Sequence, residues 1–129
     1  MRYIIDSYAW IEYLTGSKEG QRMEKLFADM GNKFVTMECC VAEILSYCLR
    51  NNIGFNGIND AINKNSFIFP VLREHWIEGA KIRFEMRKKI KGFGLIDAVL
   101  IAKQREINAE IITGDPHFKG LKSIVYIGD

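Results

Sequence analysis

Leu95-Ile96-Asp97-Ala98-Val99-Leu100-Ile101-Ala102 and then Glu110-Ile111-Ile112-Thr113-Gly114-Asp115 decide the fold. The first segment opens a helix over 96–107. Its first two turns are apolar on nearly every side, which places that helix at the centre of the molecule. The second is a short apolar strand over 110–113 that ends at a glycine and an acid. Outward from this pair the same alternation repeats. Arg2 to Asp6 reads as a strand, and Ser7 is placed to cap a helix through Ala9 and Leu14 that Gly16 stops. A helix over 19–30 would put Met23, Leu26, Phe27 and Met30 on one face. Lys33 to Met37 reads as a strand and Glu38 to Asn51 as a helix. A weaker helix over 53–65 contains Gly54 and Gly57. Phe67-Ile68-Phe69 is a strand ended by Pro70, and an amphipathic helix follows from Glu74 to Ile90. Gly92-Phe93-Gly94 punctuates the chain before the central helix, 114–120 is a loop, and Ser123 to Ile127 is a last strand. Five strands separated by helices imply parallel pairing through right-handed crossovers. The expected fold is a three-layer α/β/α sandwich with a central, mostly parallel five-stranded sheet, formed by one domain over 1–129.

Composition narrows the class. The chain has 129 residues, 48% of them hydrophobic, with a net charge of +2. No apolar run approaches the roughly 18 residues a membrane helix needs. The opening Met1-Arg2-Tyr3-Ile4-Ile5-Asp6 meets an acid too soon for a signal peptide, so a soluble cytoplasmic protein is expected. Cys39, Cys40 and Cys48 share one helix and form no C-x-x-C pair. They read as reduced, buried thiols, and His75 and His117 lie too far from them in sequence to suggest a zinc site.

Four acids stand in apolar surroundings. Asp6 follows Tyr3-Ile4-Ile5, Glu43 sits within Cys39-Cys40-Val41-Ala42-Glu43-Ile44-Leu45, Asp97 lies in the first turn of the central helix, and Asp115 follows Ile111-Ile112-Thr113-Gly114. A carboxylate removed from water without a partner costs several kcal/mol or gives up its charge. Taken singly, each has a structural reading. Asp6 can cap a helix or pair with an arginine, and Glu43 can face solvent. Asp97 can favour a helix N-terminus, and Asp115 can make a turn. Together they point to a shared site, and Asp6 and Asp115 fall just past the ends of strands, where parallel sheets gather ligands. Mg²⁺ or Mn²⁺ would cancel their mutual repulsion, supply a nucleophilic water near neutral pH and stabilise charge on a phosphate. All-acidic sites of this kind suit phosphodiester hydrolysis.

These segments, with Ser7-Tyr8-Ala9-Trp10-Ile11-Glu12-Tyr13-Leu14 and Asp115-Pro116-His117-Phe118, resemble the PIN-domain family, and within it the single-domain VapC-type ribonuclease toxins. The similarity runs from end to end. Each motif is short, and their order and spacing carry the resemblance. It implies that Asp6, Glu43, Asp97 and Asp115 form the metal and catalytic site, with Ser7 and Thr113 as supporting hydroxyls. It also implies Mg²⁺- or Mn²⁺-dependent endoribonuclease activity, a homodimer and a cognate antitoxin. The chain departs from the family pattern at Tyr8, where many relatives carry a small hydroxyl residue. It departs again at His117, where many carry an acid or asparagine. Asp115 lies in the region that varies most across the family.

Arg83, Arg87, Lys88, Lys89 and Lys91 crowd the end of the long helix just before Asp97. Cations favour a helix C-terminus through the macrodipole alone, and they also suit an RNA backbone beside an acidic site. Phe93, between two glycines, is a candidate for base stacking or for anchoring its loop in the core. Trp10, Tyr13 and Leu14 form an apolar set for the core, part of it available to a dimer or antitoxin groove. His117 reads as a surface-loop residue or a phosphate contact. A non-catalytic PIN-like protein- or RNA-binding module is the alternative function. A phosphoacceptor receiver domain does not fit, because a single acid follows the first strand and no lysine follows the fourth.

Overall fold

Strands β1 (Arg2–Ile5), β2 (Lys33–Met37), β3 (Phe67–Phe69), β4 (Glu110–Thr113) and β5 (Ile124–Tyr126) form one sheet in the order β3-β2-β1-β4-β5. The computed structural model describes residues 1–129. Every pairing is parallel, so the sheet is more uniform than the sequence suggested. From β1 the chain first builds outward through β2 and β3. It then returns to the other side of β1 with β4 and β5. The order therefore reverses between β1 and β2 on one side and β4 on the other, at the place where sheets of this kind bind ligands.

Six helices accompany the strands: α1 (Ser7–Leu14), α2 (Glu24–Ala28), α3 (Glu38–Arg50), α4 (Asn56–Asn65), α5 (Arg73–Met86) and α6 (Leu95–Ile107). The two faces of the sheet bury separate cores, as the alternation of strand side chains requires. Ile4 and Ile111 point to one side, with Val35, Phe93, Leu100 and Phe118. Ile5 and Ile112, their neighbours in sequence, point to the other, with Trp10, Met23, Ile44 and Ile62. The expected three layers are therefore present. The continuous apolar run of α6 has its reason too: every residue from Ala98 to Gln104 is buried, between the sheet and α5. Gly79 of α5 makes that close packing possible, because a Cβ there would lie 2.8 Å from Val99 Cγ2. No helix is long and apolar enough to cross a membrane.

Three local expectations are corrected, and one open alternative is decided. The helix expected over 19–30 is a 3₁₀ turn over Gly20–Met23 followed by the short α2. Gly20 packs against α1 so tightly that a Cβ would fall 2.3 Å from the Glu12 carbonyl oxygen. That contact tightens the first turn, and Met30 lies beyond the helix, 95% exposed. The cap of α1 is Asp6 rather than Ser7: its Oδ1 accepts the Ala9 N–H at 2.8 Å. Helix α5 stops at Met86, four residues short, and the chain turns toward Gly92 at φ +80°. Phe93 is fully buried against Phe118, so it anchors its loop in the core and offers no ring to a nucleic acid.

The three cysteines are free thiols, with Cys40 and Cys48 buried and Cys39 half-buried. Trp10 is fully buried and donates from Nε1 to Thr36 Oγ1 at 2.9 Å, so it belongs to the core and to no groove. His75 is also buried. Its Nδ1 accepts the Leu72 N–H, which leaves Nε2 to donate to Glu106, and Lys103 reaches the other oxygen of Glu106 at 2.8 Å. This network ties the start of α5 to the end of α6.

Candidate metal centre

The four acids come from four elements that meet at the carboxyl edge of the sheet. Asp6 follows β1 and Asp115 follows β4, while Asp97 stands in the first turn of α6 and Glu43 in the second turn of α3. Each placement has a local cause. Asp6 is drawn inward by capping α1 and by the Thr113 hydroxyl. Asp97 occupies the third position of α6, and its carboxylate reaches back to the N–H of Gly94, the N-cap. A Cβ at Gly94 would lie 3.3 Å from Asp97 Oδ2, so the small residue lets the acid fold back. Asp115 caps the following 3₁₀ turn through the His117 N–H at 2.9 Å, and its own N–H donates to Thr113 Oγ1 at 2.9 Å. Glu43 Oε1 accepts the Ser7 hydroxyl at 3.0 Å.

Both supporting hydroxyls thus touch the site. Ser7 orients Glu43. Thr113 is fully buried and bridges Asp6 and the Asp115 backbone. Asp97, Asp115 and His117 each offer a ligand atom within 4.8 Å of the others. His117 Nδ1 stands 3.4 Å from Asp115 Oδ1. The histidine therefore belongs to the cluster's edge, which its place in a loop did not reveal. The spacing of two residues from Asp115 across Pro116 was the available signal: one turn of 3₁₀ helix returns the ring toward the acid.

The charges are under strain. Burial, the largest cause, pushes the Asp6 carboxyl up from 3.8 to about 7, and the nearby Asp97 and Asp115 add to it. Hydrogen bonds from Thr113 and Ala9 only partly oppose that shift. Burial also raises Asp97 to about 6, helped by Asp115 and Glu43. Glu43 stands at the exposed mouth, where partial loss of water raises its carboxyl against the Ser7 hydrogen bond. Of the apolar residues around it, Cys40 and Ile44 belong to the buried face of α3, whereas Glu43, like Ala42 and Leu45, is exposed. The donor set fits a hard divalent cation: carboxylate oxygens converge from several elements, they repel one another, and no lysine or arginine is paired with any of them.

The basic residues of α5 and its exit are less uniform than their sequence. Arg87 Nε donates to the Phe93 carbonyl at 2.8 Å, and Lys88 pairs with Glu85 at 3.1 Å. Arg83 is half-buried, with Nε lacking a partner. Lys89 and Lys91 are exposed.

A family model, the PIN domain, matches residues 3–123. No curated protein sequence matches the chain. Solved structures match its fold over nearly the whole length. A toxin–antitoxin complex from Klebsiella pneumoniae is 16% identical, with 98% of each chain covered and a TM-score of 0.69. VapBC2 from Rickettsia felis, bound to a DNA fragment from its promoter, is 15% identical, covering 98% and 97% at a TM-score of 0.71. VapC20 from Mycobacterium tuberculosis, a toxin that cleaves the sarcin–ricin loop, is 13% identical, covering 94% and 95% at 0.73. The parallel sheet, the acids at its carboxyl edge and a family match that spans all four of them agree: the chain belongs to the PIN-domain family.

Proposed function

We propose that this chain is a Mg²⁺- or Mn²⁺-dependent endoribonuclease and the toxin of a toxin–antitoxin pair, with residues 1–129 acting as one domain. The observation that supports the reading is the acidic cluster at the carboxyl edge: Asp97 and Asp115 lie within 4.8 Å of one another, the charges of Asp6 and Glu43 are felt beside them, and Asp6 and Asp97 are raised toward neutrality. Asp6, Asp97 and Asp115 would hold the cation, with Glu43 at the mouth and His117 beside Asp115. A cation held by these oxygens lowers the pKa of a water and offsets charge on a phosphate oxygen. The protein's own part is positional. The Ala9 N–H and the Thr113 hydroxyl fix Asp6, the Gly94 N–H fixes Asp97, and Ser7 fixes Glu43. Lys89 and Lys91, exposed beyond α5, and Arg83, Arg87 and Lys88 near them would neutralise RNA phosphates as these approach the acidic cluster. The toxin–antitoxin complexes among the structural matches support an antitoxin partner. Trp76, Ile77 and Phe84 lie exposed along α5 and would serve a homodimer.

Calorimetric titration with Mn²⁺ tests the metal site. Wild type binds, and Asp6→Asn and Asp97→Asn do not; the same two variants lose cleavage of labelled RNA. A folded wild type without Mn²⁺ binding or cleavage overturns the reading in favour of a binding module.

A further inference from the structure

Phe93 is buried, so an aromatic open to solvent near the acids lies elsewhere. Tyr8 stands two residues after Asp6 and is 36% exposed. Its ring rests on Gly114, the residue before Asp115: a Cβ there would lie 2.3 Å from Tyr8 Cε1 and 2.7 Å from Cδ1. The ring thus packs against the backbone that leads from β4 into Asp115, on the carboxyl edge of the sheet. Its hydroxyl donates to Glu19 Oε2 at 3.1 Å, which pins the ring in place.

A second aromatic extends this edge. Tyr126 pairs in register with Thr113, the neighbour of Gly114, and is half-buried. Lys119 lies over the Tyr126 ring, with Nζ 5.5 Å from the centroid, and is exposed. The charges around Tyr8 are asymmetric. Glu12 and Glu19 flank it on the α1 side, while Lys119 lies over Tyr126 on the β5 side. A phosphodiester chain is repelled from the first flank and attracted to the second. An uncharged, flat group is what the Tyr8 ring itself can accept.

We propose that Tyr8 is the floor of a nucleobase subsite, on which one base of single-stranded RNA stacks beside the carboxylate cluster while its phosphate faces Lys119. This rests on the ribonuclease reading for the identity of the reaction but makes its own prediction about binding. Gly114 is then a requirement of the subsite, because any side chain there would displace the ring. Tyr8 is a positioning residue: it holds the substrate and takes no part in bond breaking.

Binding of a fluorescent single-stranded RNA dodecamer, and of an abasic dodecamer with the same phosphates, tests it in an Asp97→Asn background that prevents cleavage. Base-bearing RNA binds about tenfold more tightly than abasic RNA, the range expected for one stacked base. Tyr8→Leu removes that ratio and leaves abasic binding unchanged, whereas Tyr8→Phe preserves it. An unchanged ratio in Tyr8→Leu overturns the proposal. So does equal loss of both RNAs together with a lower melting temperature, which marks a structural role. Cleavage by the wild-type chain separates the two readings. A Tyr8-dependent base preference without any cleavage retains the subsite and sinks the ribonuclease. Cleavage with an unchanged KM in Tyr8→Leu does the reverse.

Discussion

Replacing Asp6 by Asn should stabilise the metal-free protein at pH 8 and not at pH 4. The folded state raises the Asp6 carboxyl from 3.8 to about 7. It therefore holds this proton more tightly than the unfolded chain does. The sign follows: below pH 4 the group is protonated in both states and has no effect. As pH rises from about 4 to about 7 the unfolded chain releases the proton freely while the folded one releases it at a cost, and stability is lost. A shift of about three units corresponds to about 4 kcal/mol at pH 8. Asn keeps an oxygen for the Ala9 N–H, but must place an amide NH₂ where the carboxylate met Thr113, an offset of about 1 kcal/mol. The net gain is about 3 kcal/mol, or on the order of 10 °C in melting temperature for a chain of 129 residues.

The assay is thermal or urea unfolding of both proteins in EDTA from pH 4 to pH 8. The difference between them isolates Asp6, because Asp97, raised to about 6, contributes to both. The gap should open between pH 4 and pH 7 and remain constant above. Saturating Mn²⁺ should close it from the other side. Binding to the folded wild type alone adds about 2.7 kcal/mol at one hundred times Kd. A difference independent of pH, or a wild type that is the more stable at pH 8 in EDTA, refutes the reasoning. Either result would mean that the carboxylate is paired or hydrated.

Three further outcomes follow from the same geometry. Asp97→Asn should lower RNA cleavage by about three orders of magnitude or more, the several kcal/mol that a positioned cation supplies, in a single-turnover assay with Mn²⁺. Gly114→Ala should cost about 1–3 kcal/mol in urea unfolding through its clash with Tyr8, and Tyr8→Ala in the same chain should recover most of it, a coupling read from a double-mutant cycle. Trp10→Phe should cost about 1–3 kcal/mol, because it removes the buried donor to Thr36 Oγ1; unfolding with unchanged stability would mean that Ser66, 2.7 Å away, satisfies that hydroxyl alone.

What the sequence made legible and what it hid divide along one physical line. Strands and helices were legible where their apolar period is local: Tyr3-Ile4-Ile5 and Ile111-Ile112 could hardly be anything but buried strands, and their terminal acids marked the site. Features set by contacts between distant residues were hidden. The break at Gly20 comes from the backbone of α1. Which of its two roles Phe93 takes could not be read from its own segment, because the residue it packs on, Phe118, belongs to the 3₁₀ turn after β4. Glu43 seemed enclosed because its sequence neighbours are apolar, but only Cys40 and Ile44 turn inward, and Ala42 and Leu45 are exposed with the acid at the mouth. The five cations of α5 and its exit look equivalent in sequence. The structure gives Arg87 to the Phe93 carbonyl and Lys88 to Glu85.

The same line explains how Asp6 escaped an easy reading. As a helix cap it has a structural role, and as a metal ligand it would have a chemical one; the two had seemed alternatives. One oxygen of the carboxylate accepts the Ala9 N–H, yet burial still raises the carboxyl to about 7. A cap alone would lower a carboxyl's pKa, since its hydrogen bond favours the anion. Burial and the neighbouring acids overcome that effect, so capping fixes where Asp6 points without accounting for why an acid is there. Asn or Ser would cap α1 as well at no electrostatic cost. On the proposed metal-site reading, a cation beside Asp6 would supply the reason for an acid at this position.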